Sequence, residues 1–87
     1  MADLESQKFN RNTWEEVVGV QGKTWYIQNT GSVNVRIFAT DGSQPSEYNK
    51  HGEVIKPLEW SKAPVSIAAG EKLWAIGNTL VFLREVV

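Results

Sequence analysis

The chain has 87 residues, a formal net charge of −1 and no cysteine. This length allows one domain with a modest core, and the lack of cysteine excludes disulfides and zinc–thiolate sites. The basic residues are scattered, so no cationic stripe indicates a nucleic-acid partner. The chain has no apolar run of about 20 residues, and its first twelve residues lack the apolar core that is typical of a secretory signal. We therefore expect one soluble domain made in a cytoplasm, without membrane insertion.

The first segment, residues 1–12, is polar, with Leu4 and Phe9 as isolated apolar positions. Terminal segments of this kind are ordered only where something holds them. We expect a flexible N-terminal arm over residues 1–12 that contributes no core strand, followed by a single domain over residues 13–87.

Two segments after the arm alternate between apolar and polar residues, KTWYIQN (23–29) and VNVRIFAT (33–40). Alternation of aromatic and β-branched residues with polar ones is typical of half-buried strands. The Asn-Thr-Gly-Ser turn between the two segments predicts that they form a hairpin. The predicted core consists of their inward-facing residues, Trp25, Ile27, Val33, Val35 and Ile37.

The second half of the chain consists of a long loop over residues 41–52 and further short extended segments. Ala-Gly-Glu-Lys (69–72) is expected to close one hairpin. Gly77-Asn78 is expected to close another, which pairs residues 73–76 with 80–86. No segment keeps a helical period over ten residues. The pattern predicts an all-β fold, a small antiparallel β-sandwich or jelly-roll-like barrel of about seven short strands.

The residues that could carry catalysis are isolated from one another. His51 is the only histidine and lies in a loop without a partner for acid–base work. Glu15 and Glu16 are adjacent in a predicted strand, so their side chains point to opposite faces. Asp41 belongs to a turn, because no spaced set of carboxylates follows it to make a calcium loop. We predict no enzyme activity, no metal and no other cofactor.

The four tryptophans allow two interpretations. Large aromatic side chains fill small cores, and Trp25 and Trp74 are expected to lie between two sheets. Alternatively, an exposed tryptophan can serve as a platform on which a sugar ring stacks. Trp60 is the better candidate for such a ligand-binding site, with Tyr48 and His51 of the 41–52 loop as companions, and a host glycan is the ligand it would take.

The C-terminal strand is apolar on both faces. Leu80 and Phe82 point one way, and Val81 and Leu83 point the other. A strand in a sheet with one solvated face should alternate apolar with polar residues. Either the strand is central and covered on both sides, or one face meets another subunit. We expect a homo-oligomer interface, formed by Leu80, Val81, Phe82, Leu83 and Trp74, with the face opposite Phe82 at the subunit boundary.

The order of three segments, WYIQNTGSVNVRI (25–37), AAGEKLWAIG (68–77) and TLVFLREV (79–86), resembles that of small structural proteins of tailed bacteriophage virions. These are proteins of the head-decoration, head-fibre or tail-fibre-associated type. The resemblance covers residues 13–86, with Ala69 where such proteins often have proline. It implies an oligomeric β-domain attached to the virion, a trimer first and a dimer second. It also implies that the arm is available to attach this chain to other virion proteins.

Three functions therefore stay open. The first is a non-enzymatic virion structural protein, made in the bacterial host cytoplasm, that self-associates through its C-terminal strand and attaches by its arm. The second is a carbohydrate- or receptor-binding module that uses Trp60 and Tyr48. The third is a small phage regulatory protein that binds one host protein.

Overall fold

The computed structural model describes residues 3–9, 13–46 and 52–86, which form eight strands and no helix. The strands form two four-stranded antiparallel sheets, which we call the β8 sheet (β1-β8-β3-β6) and the β7 sheet (β2-β7-β4-β5). The predicted all-β sandwich is confirmed. In chain order the strands are β1 (Asp3–Lys8), β2 (Glu15–Val17), β3 (Lys23–Asn29), β4 (Val35–Thr40), β5 (Glu53–Ile55), β6 (Val65–Ile67), β7 (Lys72–Ile76) and β8 (Leu80–Glu85).

The topology is that of a long antiparallel ribbon rolled into two sheets. Strand β1 pairs with β8, β2 with β7, β3 with β6, and β4 with β5. The chain thus doubles back on itself between β4 and β5. Rolling the ribbon adds two further pairings, β3 with β8 and β4 with β7. This is the strand order of an eight-stranded double-sheet jelly roll.

Three short connections that were predicted to be hairpin turns cross between the sheets instead. Strands β3 and β4 lie in different sheets, and so do β6 and β7, and β7 and β8. The predicted hairpins are therefore wrong, although the strands themselves are present. A short polar turn can close a hairpin or turn a corner between sheets. The choice depends on which distant strand each segment pairs with.

The prediction of a flexible arm is wrong for residues 3–9. Strand β1 pairs with β8 along its length, with one irregularity in register. Phe9, directly after β1, is 3% exposed and belongs to the core, and its N–H donates to the Thr79 carbonyl at 3.0 Å. Strand pairing uses backbone groups, so a polar sequence can join a sheet wherever a neighbouring strand offers unpaired donors and acceptors.

Four of the five predicted core residues lie in the interior between the sheets, and the fifth does not. Trp25, Ile27, Val35 and Ile37 are all at most 3% exposed, whereas Val33 is 44% exposed. Strand β4 begins only at Val35, so Val33 belongs to the preceding turn and the alternation does not extend to it.

Three of the five residues predicted at a subunit interface are buried within this chain. Val81 and Leu83 are 0% exposed and belong to the core, so this side of the central strand β8 faces the interior of the sandwich. Trp74 is 8% exposed and lies opposite Phe38 in the β7 sheet. Its indole N–H donates to the Thr40 hydroxyl at 2.9 Å. The interface assignment of these three residues is wrong, and Trp74 is also outside the main core.

One buried polar side chain, Asn29 at the end of β3, joins three parts of the fold. Its Nδ2 donates to the Val33 carbonyl at 2.6 Å and to the Ile55 carbonyl at 2.9 Å. Its Oδ1 accepts from the Gly31 N–H at 3.0 Å and from the Thr79 hydroxyl at 2.8 Å. Asn29 therefore holds together the turn after β3, strand β5 and the turn before β8.

Replacing Asn29 with alanine is expected to lower the free energy of unfolding by about 2 to 3 kcal/mol, because buried donors and acceptors lose their partners. Urea denaturation followed by tryptophan fluorescence measures this. Asn34→Ala is the matched control, since Asn34 is exposed and should change stability by less than about 0.5 kcal/mol. Equal losses in the two variants would show that the Asn29 hydrogen bonds do not stabilise the fold.

Candidate functional site

Aromatic side chains converge on the outer face of the β8 sheet. Trp60 is 39% exposed, and its ring centroid lies 6.0 Å from that of Phe82 at an interplanar angle of 79°. The Arg84 guanidinium lies 5.9 Å from the Trp60 centroid and 5.6 Å from the Phe82 centroid. Tyr26, also 39% exposed, is directly opposite Arg84 across the β3–β8 pair. Cation–π contacts at these distances stabilise the arrangement of the rings.

Trp60 reaches this face because the segment after β5 runs alongside β3. An isolated bridge pairs Trp60 with Gln28. The next residue, Ser61, donates its N–H to the Ile27 carbonyl at 2.6 Å, and its hydroxyl accepts from the Ile27 N–H at 3.2 Å. These backbone contacts give Trp60 a fixed position beside the sheet, although it belongs to none of the eight strands.

A turn over residues 56–59 precedes Trp60 and holds Leu58 in an uncommon conformation. The Glu59 N–H donates to the Lys56 carbonyl at 3.0 Å, which closes the turn. Leu58 has φ of 67° in the position where such turns prefer glycine or asparagine, and Pro57 occupies the preceding one. The left-handed region costs an L-residue about 1 to 2 kcal/mol. The Leu58 N–H donates to the Asn29 carbonyl at 2.7 Å, so β3 supports the turn.

Five partly or largely exposed apolar side chains lie on the outer side of the β8 sheet or on the turn that adjoins it, and we call this surface the apolar face. Leu80 is 37% exposed and Leu58 is 71% exposed. Phe82 is half-buried, two residues along β8 from Leu80. The apolar face consists of Tyr26, Leu58, Trp60, Leu80 and Phe82.

The apolar face contains a shallow depression of about 400 Å³ lined by Tyr26, Trp60, Ser61 and Arg84. Its walls combine two aromatic rings with a phenol hydroxyl and a guanidinium. Such a recess can take an apolar group that has a carboxylate or hydroxyl beside it, because the rings supply apolar contact and the polar groups supply hydrogen bonds.

The sequence identified part of this site. Of the predicted interface residues, Leu80 and Phe82 lie on the apolar face, while the predicted subunit boundary on the opposite side of β8 is the core. Trp60, predicted as a ligand-binding residue, lies at the centre of the face. Its predicted companions Tyr48 and His51 lie outside the described residues.

Sequence reasoning missed Tyr26, Leu58 and Arg84. The alternation in KTWYIQN placed Tyr26 on the side away from Trp25, which is correct, but gave it no function. Pro57 is compatible with a turn at this point of the chain, but nothing in the sequence indicates a left-handed leucine at position 58. Arg84 could be connected with Tyr26 only after the β3–β8 pairing was known.

The described residues show little else that could carry chemistry. Across residues 3–9, 13–46 and 52–86, no group of three or more histidine, cysteine, aspartate or glutamate side chains is arranged to hold a metal ion. Glu16 forms a surface ion pair with Lys72 at 3.8 Å, and Lys23 forms one with Glu85 at 3.6 Å. In the same part of the chain, no helix is long and apolar enough to cross a membrane.

No protein-family model, curated protein or solved structure matches the chain.

Proposed function

We propose that the protein is a non-enzymatic structural protein of tailed-bacteriophage virions that self-associates through the apolar face. The observation that carries this proposal is the outer face of β8. The inner face of this strand is already buried, so its outward residues should be polar in a monomer. Leu80 and Phe82 are apolar instead, and Leu58 and Trp60 extend the patch. Contiguous exposed apolar surface of this kind is typical of protein–protein contacts.

The assignment to a virion is supported by the resemblance of residues 25–37, 68–77 and 79–86 to small virion proteins. The jelly-roll strand order is consistent with it, since this order recurs in viral capsid domains, although it also recurs in lectins. Fold alone does not determine function. Attachment to other virion proteins is part of the proposal. The N-terminal arm is no longer the proposed anchor, because Asp3–Lys8 is a strand of the β8 sheet.

Self-association is tested by sedimentation velocity of the full chain at micromolar concentration. We expect an oligomer, a multiple of the 9.8 kDa chain mass. Leu80→Glu should weaken association at least tenfold, because it places a carboxylate in an apolar contact. Val54→Glu is the matched control, since Val54 is 38% exposed and Leu80 is 37% exposed, but Val54 lies on β5 in the other sheet.

Two results would contradict this reading of the apolar face. One is a wild-type protein that sediments as a 9.8 kDa monomer at the highest concentration reached. The other is an equal effect of the Leu80 and Val54 variants, with both folded by circular dichroism.

The proposal that the protein is part of the virion is tested separately, by mass spectrometry of purified phage particles. We expect the protein to be present in particles at a constant ratio to a capsid protein. Its absence from particles, with the protein present in the infected-cell extract, would rule out the virion assignment without bearing on self-association.

A second candidate function is carbohydrate binding, and the depression beside Trp60 favours it. The rings of Tyr26 and Trp60 could stack on a sugar, and the Tyr26 hydroxyl and the Arg84 guanidinium could form hydrogen bonds with it. A glycan array with the wild-type chain and the Trp60→Ala variant tests this function. Binding that is lost in the variant would support it, and no binding by the wild type would exclude it for the glycans on the array.

A further inference from the structure

We infer that Leu58 is the anchor of a two-fold interface between two copies of this chain. In this interface Leu58 of each copy inserts into the depression lined by Tyr26, Trp60 and Arg84 of the other. The inference rests on the proposed self-association through the apolar face and specifies how that contact is made.

The first argument is the conformation of Leu58 itself. It is the most exposed of the large apolar side chains in the described residues, at 71%. Its backbone is in the left-handed region, with φ of 67°, where glycine would be unstrained. A side chain this exposed adds little to the core. The leucine side chain therefore adds little stability at a position where glycine would be unstrained, and residues held in such conformations cluster at functional sites.

The second argument is the position of Leu58 relative to the depression. Trp60 is two residues further along the same segment and forms one wall of the depression. The outward-facing Gln28 side chain donates to the Leu58 carbonyl at 3.1 Å, so the exposed Leu58 and the depression belong to one patch. A patch of this kind can bind a second copy of itself around a two-fold axis, so that each Leu58 enters the opposite recess. The depression, at about 400 Å³ and open to solvent, is large enough to seat one leucine side chain.

The third argument is charge. Glu59 follows Leu58 and is exposed, and Arg84 lines the depression. When Leu58 of one copy enters the depression of the other, Glu59 comes close to Arg84 of that second copy. A guanidinium has five N–H donors, so Arg84 can bind this carboxylate in addition to the contacts it already makes. The two-fold axis generates two such ion pairs.

The same geometry distinguishes a dimer from the trimer that the sequence resemblance implies. A three-fold ring joins two unlike patches of each chain, whereas a two-fold axis joins one patch to its own copy. The projecting Leu58 and the depression are parts of the one apolar face. The partner is therefore one second copy, and the complex closes at two chains.

The experiment compares the wild-type protein with Leu58→Gly in two measurements. Sedimentation velocity over a concentration series gives the dissociation constant, and urea unfolding is measured at a concentration where both proteins are monomeric. We expect a wild-type dimer and at least a tenfold larger dissociation constant for Leu58→Gly. The urea midpoint of the variant should be unchanged or higher, because glycine relieves the left-handed strain. A purely structural role for Leu58 would lower the midpoint, so the two readouts separate the roles.

Two further variants complete the design. Leu58→Asn also tolerates the left-handed region and should lose dimerisation like Leu58→Gly. Val18→Ala is the control, because Val18 is 60% exposed and directly follows β2 of the other sheet, and it should dimerise like wild type. Glu59→Gln should raise the dissociation constant severalfold, with a smaller effect at high salt.

Failure of this inference can be told apart from failure of the proposed function. If Leu58→Gly and Leu58→Asn dimerise like wild type while Leu80→Glu is monomeric, the apolar face is the interface but Leu58 is not its anchor. A wild-type trimer would also overturn the two-fold arrangement and leave self-association standing. A wild-type monomer would overturn both.

Discussion

Replacing Trp25 with alanine is expected to lower the free energy of unfolding by about 3 to 5 kcal/mol. Trp25 is 1% exposed and lies on β3, which pairs with β6 on one side and β8 on the other. Its removal leaves a cavity between the sheets. It also removes the indole N–H that donates to the Val20 carbonyl at 2.9 Å, so a buried acceptor loses its partner.

Urea denaturation measures this loss, which is a large fraction of the roughly 5 to 15 kcal/mol that stabilises a typical domain. Trp60→Ala is a matched control, because it removes the same side chain from a site that is 39% exposed. The control should lose much less stability than Trp25→Ala. A loss below about 1 kcal/mol for Trp25→Ala would contradict the burial of this residue.

Deleting residues 1–9 is expected to unfold the protein or drive it into aggregates. Strand β1 pairs with one edge of β8, and Phe9 is one of the buried residues of the core. Without them β8 becomes an unpaired edge with apolar residues on both faces, which invites association with other chains. This expectation is the reverse of the one that the polar sequence of this segment suggested.

Far- and near-ultraviolet circular dichroism of the deletion variant tests the role of β1. We expect loss of the near-ultraviolet signal, since packing around the tryptophans depends on the complete β8 sheet. Adding a synthetic peptide of residues 1–12 should restore the signal, because a free strand can pair with an exposed edge. A deletion variant with wild-type spectra and urea midpoint would show that β1 is dispensable.

The positions of most strands could be predicted from the sequence, because alternation is a local property. The alternation around Trp25 and Ile27 placed them correctly on the inner side of β3. Strand β1 could not be found in this way, since its residues show no apolar alternation. It is a strand because β8 supplies backbone donors and acceptors along one edge. Strand β8 lies about 80 residues further along the chain, so a local pattern cannot reveal the pairing.

The strand pairing and the full set of site residues could not be predicted from the sequence, for a related reason. A short turn such as Gly77-Asn78 is compatible with a hairpin or with a corner between sheets, and only the pairing of distant strands decides between them. The same pairing determines which side of β8 faces outward. The sequence therefore separated Phe82 from Val81 correctly, but the side on which it predicted a subunit boundary is buried in the core of this chain.

The pairing of β1 and β3 with the last strand has a consequence for how the chain folds. Until β8 itself has been synthesised, β1 has no neighbouring strand and β3 has only β6, so the sheet is completed late. Folds dominated by contacts between distant residues reach the native state in roughly milliseconds to seconds, slower than helical proteins of similar size. During this time the nascent chain carries incompletely paired strands that can associate with other chains. Its yield in the cell should therefore depend on temperature and on chaperones more than its small size suggests.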